Sequence, residues 1–199
     1  ERVGLTAAAK RKVRGYSRGM RQRLGLGISI LSEPNLLVLD EPTGGLDQEG
    51  IAVLFDVLDE WRQAGRMVLI ATHDLTLLER RVDRVCILES GRRVALDTPG
   101  ALREAAGLPV RVTFAVTGDP SAFVAALEAW GGGTVERIGE RVEVEASPDG
   151  LMALMDIRTE HSDTVTGLRV IEPGMDEVYE HYLAAAHSEA PEAPKAAEA

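Results

Sequence analysis

Leu36-Leu37-Val38-Leu39-Asp40-Glu41-Pro42-Thr43-Gly44-Gly45-Leu46-Asp47 is the stretch that decides the fold. Four consecutive apolar residues followed by two acids predict a buried strand that delivers carboxylates at its C-terminal end. Such uninterrupted apolar runs suit a parallel sheet covered on both faces. In open α/β sheets the ligand crevice lies outside the strand C-termini, which is where Asp40 and Glu41 fall. Pro42 has no N–H for the ladder and ends the strand, and Gly44-Gly45 permits a sharp turn. Taken as an isolated acid pair, Asp40-Glu41 would also suit a solvated acidic turn.

Working outward, the next strand downstream is Met67-Val68-Leu69-Ile70-Ala71, ending in Thr72-His73-Asp74. Between the two, Ile51, Leu54, Phe55, Leu58 and Trp61 recur at helical spacing and mark one buried face. Gly65 is the stop. Strand, helix, strand with polar groups at both strand ends is the βαβ logic of a nucleotide-binding sheet. Upstream, Ser17 and Gly19 precede the periodic residues Leu24, Ile28 and Leu31. That is a helix N-terminus signal, with Ser17 as cap and Gly19 leaving the backbone open to a ligand. The free N–H groups there favour an anion, although a capped amphipathic helix explains the same residues. The helix should stop near Ser32-Glu33-Pro34, and residues 5–12 also look helical.

These motifs together resemble those of ABC-type ATPases over about residues 1–105. Gly15-Tyr16-Ser17-Arg18-Gly19-Met20 resembles the ABC signature motif, and Leu36 to Asp47 is similar to the Walker B motif and D-loop. The resemblance implies that Asp40 orients Mg²⁺ and that Glu41 polarises the attacking water. It makes Asp47 the D-loop acid at a dimer interface and His73 the switch histidine, which touches the γ-phosphate. By the same resemblance Ser17 and Gly19 contact ATP bound by the opposite protomer. Arg18 and Met20 replace the glycine and glutamine of the commonest signature. The implied protein is an ATP-hydrolysing transporter subunit of the ABC-2 kind. It would work as a dimer at the inner face of the membrane beneath separate permease subunits. Ala105-Ala106-Gly107-Leu108-Pro109-Val110 is similar to a segment of the ATPase of nitrous-oxide reductase maturation and copper-site assembly. The rival reading is a non-transport regulator or soluble ATPase whose C-terminal portion binds a ligand or partner.

The Gly-rich phosphate loop of that class is not among these residues. Lys10, Lys12 and Lys195 are the only lysines, and none follows a glycine. The chain is therefore expected to be the C-terminal portion of a P-loop NTPase domain, with little activity alone.

Residues 109–186 follow another pattern. Val110 to Val116 alternates with period two, as a half-buried strand does. A helix follows Asp119-Pro120-Ser121, a strand pair flanks Gly139-Glu140, a helix starts at Pro148, and a strand runs from Thr164 to Ile171. The order βαββαβ predicts a small α+β, ferredoxin-like unit. It is reached through a hairpin across Glu89-Ser90-Gly91-Arg92 and a short helix capped by Thr98. A last helix is expected from Met175 to Ala186, and the Ala-, Glu- and Pro-rich residues 187–199 are expected to be a disordered tail.

Charge sharpens the division. Of 199 residues, 22 are basic and 32 acidic, for a net charge of −10. Residues 1–25 carry eight Lys or Arg and one acid, net +7, which leaves −17 on the remainder. The acidic remainder argues against nucleic acid as a partner. The single cysteine, Cys86, lies in an apolar run and is expected to be a buried small hydrophobe. No apolar run reaches 18 residues, so a cytoplasmic protein reaching the membrane through a partner is expected.

Overall fold

The computed structural model describes residues 1–189. The chain packs as two compact units, Glu1–Leu75 and Thr76 onward.

In the first unit, helix α1 (Arg18–Ser29) begins at Ser17, whose side chain accepts from Met20 N–H, and gives way at Ile30. Strand β1 (Leu36–Asp40) leads through a tight turn into helix α2 (Gln48–Gln63), and strand β2 (Met67–Ala71) returns parallel to β1. The register pairs Leu36 with Met67 and Asp40 with Ala71. Leu37 of β1 is buried with Leu26 and Ile30 of α1 and with Leu54, Val57 and Trp61 of α2. Trp61 also donates from Nε1 to the Pro34 carbonyl at 3.1 Å. These helices cover one face of the two strands only. Val38 is 61% exposed and Leu69 59%, with Leu36 and Met67 beside them on the open side. The expectation of a strand covered on both faces is thus corrected to one covered face. Residues 5–12 are not a helix either: short 3₁₀ turns at Thr6–Ala8 and Val13–Gly15 take their place. Leu5, Ala8 and Tyr16 bury a small cluster there.

Helix α3 (Leu75–Leu78) crosses from one unit to the next. In the second unit, β3 (Val85–Glu89) and β4 (Arg92–Asp97) form an antiparallel hairpin. Its two-residue loop holds Ser90 at φ 50° and Gly91 at φ 77°, the left-handed pair that matches strand twist. One hairpin face is covered and buries Ile87; Cys86 and Leu88 point the other way and are exposed. Alternation along the strand therefore puts Cys86 in solvent, contrary to the expectation of burial. Helix α4 (Pro99–Ala106) has Thr98 as N-cap and Gly107 in the left-handed region at its end.

The chain continues as β5 (Val110–Val116), α5 (Ser121–Trp130), β6 (Gly133–Ile138), β7 (Arg141–Ala146), α6 (Leu151–Glu160) and β8 (Val165–Ile171). The four strands form one sheet in the order β6-β7-β5-β8, antiparallel throughout. That order and the βαββαβ succession are those of a ferredoxin-like unit. Val112, Phe114, Val142 and Val144 on one sheet face enclose a core with Phe123 and Leu127 of α5 and Leu154 of α6. Phe114 and Phe123 meet edge to face at 5.1 Å. Helix α7 (Met175–Glu189) packs on α4 and the hairpin and buries Met175 and Val178. It extends past the expected end at Ala186. The rest of the expected disordered tail lies outside the described residues.

Candidate functional site

The β1–β2 pairing sets the site. Because Asp40 lies opposite Ala71, residue 41 falls opposite residue 72, and both strands release their polar residues at the same edge. The ladder continues one step further through Glu41 N–H to the Ala71 carbonyl at 2.8 Å. Glu41 then turns at φ 44°, a conformation that non-glycine residues seldom adopt. Such backbone costs on the order of 1–3 kcal/mol and persists where neighbours over-determine it. Here the Glu41 carbonyl accepts from Gly44 N–H at 3.1 Å and from Gln22 Nε2 at 3.1 Å.

The turn carries the Glu41 carboxylate to the end of β2. His73 donates through Nδ1 to Glu41 Oε1 at 2.8 Å, and the His73 backbone N–H donates to the same oxygen at 3.1 Å. Thr72 Oγ1 donates to Oε2 at 3.3 Å and accepts from Asp74 N–H at 3.0 Å. The hydrogen bond from His73 is the main reason the Glu41 carboxyl is held below its ordinary pKa. The same contact raises His73 above its ordinary value. With Nδ1 committed, Nε2 of this 87%-exposed side chain is left for solvent or a ligand.

Asp40 is exposed, and alternation along β1 puts its side chain on the open side with Val38. Its carboxylate has no protein partner among the described residues. One free carboxylate fits the way Mg²⁺ is held together with nucleotide phosphates, by one or two acids plus water and phosphate oxygens. No group of three or more His, Cys, Asp or Glu able to hold a metal ion by itself occurs among the described residues.

Two further residues cap the helices that follow them. Asp47 is the N-cap of α2, its Oδ1 accepting from Gly50 N–H at 2.8 Å. Ser17 Oγ accepts from Met20 N–H at 3.2 Å. Gly19 is where the two loops touch: a Cβ there would lie 2.8 Å from the Gly45 carbonyl oxygen. Gly45, at φ 77°, is packed in turn under the Arg18 side chain. The start of α1 and the turn after β1 are therefore in direct contact. Ser17 and Gly19 adjoin one side of that contact, and Asp47 the other.

Sequence reasoning missed Thr72, Gln22 and the Arg18–Gly45 packing. The first two act on Glu41 only because the strand register and the α1–β1 packing bring them there. No spacing along the chain signals either.

Residues 1–44 match the profile of the ABC transporter family. An uncharacterized ABC transporter ATP-binding protein, YdbJ of Bacillus subtilis (strain 168), is 51% identical over 92 residues, covering 46% of this chain and 30% of its own. The linearmycin resistance ATP-binding protein LnrL of the same organism is 27% identical over 184 residues, 90% of this chain and 59% of its own length. A solved structure of an ATP-binding subunit of an ABC transporter is 35% identical, with a TM-score of 0.45, over 47% of this chain and 39% of that one. Over about half its length the chain is similar to ATP-binding subunits of ABC transporters. It spans 30% and 59% of the length of these two relatives. No helix among the described residues is long and apolar enough to cross a membrane. Neither of these relatives is named for copper or nitrous-oxide chemistry, and that subfamily reading gains no support.

Proposed function

We propose that this chain carries the water-activating and partner-facing elements of an ATP-hydrolysing subunit of an ABC-2 type transporter. The subunit would act as a dimer, peripheral to the inner face of the membrane through separate permease subunits. The observation that carries this reading is the Glu41 carboxylate, held at the open end of a parallel strand pair by His73 and Thr72. Kinship with ATP-binding subunits supports the nucleotide as ligand.

When bound, Mg²⁺ neutralises charge developing on the transferred phosphoryl group. Asp40 is the residue available to orient it. Glu41, kept ionised by the donors around it, can accept a hydrogen bond from a water and align it for in-line attack. His73 fixes Glu41 through Nδ1 and presents Nε2 outward, where it can donate to a phosphate oxygen once charged. Ser17 and Gly19, at the positive end of α1, would receive the phosphates of ATP held by the second subunit. Residues from 109 on would serve as an accessory domain without catalytic groups.

The test joins this chain behind the phosphate-loop portion of a complete ABC-type ATPase subunit. In that fusion Glu41→Gln should cut steady-state phosphate release by roughly 10²–10⁴-fold while ATP binding stays intact. Release within about threefold of the parent, itself shown to turn over, removes Glu41 from the chemistry.

A further inference from the structure

The second unit holds a groove that the ATPase reading does not use. It has a volume of about 470 Å³ and is lined in part by Glu79, Arg80, Pro99, Arg103, Arg169 and Glu172. Three arginines against two carboxylates is an unusual balance for a chain of net charge −10. The two acids do not cancel the arginines evenly. Glu79 Oε2 is committed twice, accepting from Arg103 Nη2 at 3.2 Å and from the Met175 backbone N–H at 3.2 Å. Arg103 also donates from Nε to the Pro173 carbonyl at 2.7 Å and stands 4.0 Å from Glu172. Arg80 and Arg169 are exposed, and their guanidinium groups have no hydrogen-bond or ion-pair partner among the described residues. Helix α4 opens on the same groove at Pro99, with no acid in its first turn to offset its positive end.

We propose that this groove is a binding site for a small multivalent oxyanion, a phosphorylated or polycarboxylic metabolite. Arg80 and Arg169 supply the free guanidinium forks, and Arg103 stands beside them already oriented. Arginine presents planar paired donors that match phosphate and carboxylate oxygens two at a time. The groove's volume falls in the range of small-molecule sites, roughly 300–1,000 Å³, and not of a docked protein face. Occupation also reaches the C-terminal helix. A ligand oxyanion competes with Glu79 for Arg103, and Glu79 holds the first N–H of α7. The proposal stands apart from the ATPase reading and does not depend on it.

Calorimetric titration of the full chain with pyrophosphate and, separately, with citrate tests it. One-to-one saturable binding with a dissociation constant of about 1 mM or tighter is expected for at least one probe. Arg80→Ala and Arg169→Ala should each weaken it about tenfold or more, because each removes a charge-assisted pair with the ligand. Arg111→Ala, which removes an exposed ion pair with Glu145 on the four-stranded sheet, should leave it unchanged. Both groove arginines are exposed, so unchanged circular dichroism is expected, and Arg103→Lys, which keeps the charge, should retain part of the affinity. A preference for pyrophosphate assigns a phosphate ester, and a preference for citrate assigns a polycarboxylate. Absence of saturation by either probe up to ~20 mM overturns the site. So does equal weakening by Arg111→Ala.

Discussion

The two sheets of this chain differ in how far their faces are covered. The antiparallel sheet closes its core: Val112, Phe114, Val142, Val144, Leu127 and Leu154 are all fully shielded from solvent. Its strands end in turns without any cluster of reactive groups. The parallel pair β1–β2 is covered on one face, leaves Val38 and Leu69 in water, and carries all the candidate chemistry at its strand ends. In parallel strands, both C-termini lie at one edge, so two loops can place Glu41 and His73 side by side. Antiparallel neighbours send their loops to opposite edges and spend their side chains on packing instead. The chemistry follows strand direction, and the shielded core follows sheet closure.

Truncations to alanine on the two sheets should test this contrast most sharply. Phe114→Ala removes a fully buried ring from the antiparallel core and should cost about 3–5 kcal/mol. Val38→Ala, on the open face of β1, should cost well under about 1 kcal/mol, as surface changes usually do. Urea denaturation followed by circular dichroism separates the two. A Val38 cost of about 2 kcal/mol or more would mean the face is covered in solution.

A smaller effect is expected where α1 meets the turn after β1. Gly19→Ala places a methyl 2.8 Å from the Gly45 carbonyl oxygen, a backbone atom that cannot simply swing away. The cost should be about 1–3 kcal/mol, the range of overpacking. Gly25→Ala, with open space around its Cβ, serves as the control on the same helix and should be neutral or slightly stabilising. Equal thermal shifts in the two variants would show that the close approach is absent.

The smallest effect is a titration. His73 is raised above about 6.5, chiefly by the Glu41 hydrogen bond, and Glu41 is lowered below about 4.5 by the same contact. The histidine's contribution is complete below its unfolded value, near pH 6.5, and is lost as pH rises through the raised pKa. The carboxylate's contribution is complete above about pH 4.5 and is lost as pH falls through the lowered pKa. The contact is therefore strongest between about pH 4.5 and 6.5. Proton NMR of His73 should show a midpoint above 6.5 that returns toward the ordinary value in Glu41→Gln. An unshifted midpoint in the parent chain would dissolve the pair.

What the sequence determined by itself is what depends on near neighbours. Ser17 and Thr98 cap the helices that follow them, because a cap needs only a short side chain and a free N–H three residues on. The Asp40-Glu41-Pro42 strand end and the βαββαβ succession were legible for the same reason: period, proline and turn residues act locally. Helix α7 runs to Glu189, three residues past the expected end at Ala186. Only tertiary structure decided the rest. Thr72 and His73 reach Glu41 because β1 and β2 align Asp40 with Ala71, a register set by the packing of α1 and α2 and not by any residue near position 41. Gly19 is required by a carbonyl 26 residues away in the chain, at Gly45. Cys86 is in water because the hairpin has one covered face, and alternation gave that face to Ile87. An apolar run states that a strand will seek burial; which of its faces finds a partner is settled by how many elements are there to cover it.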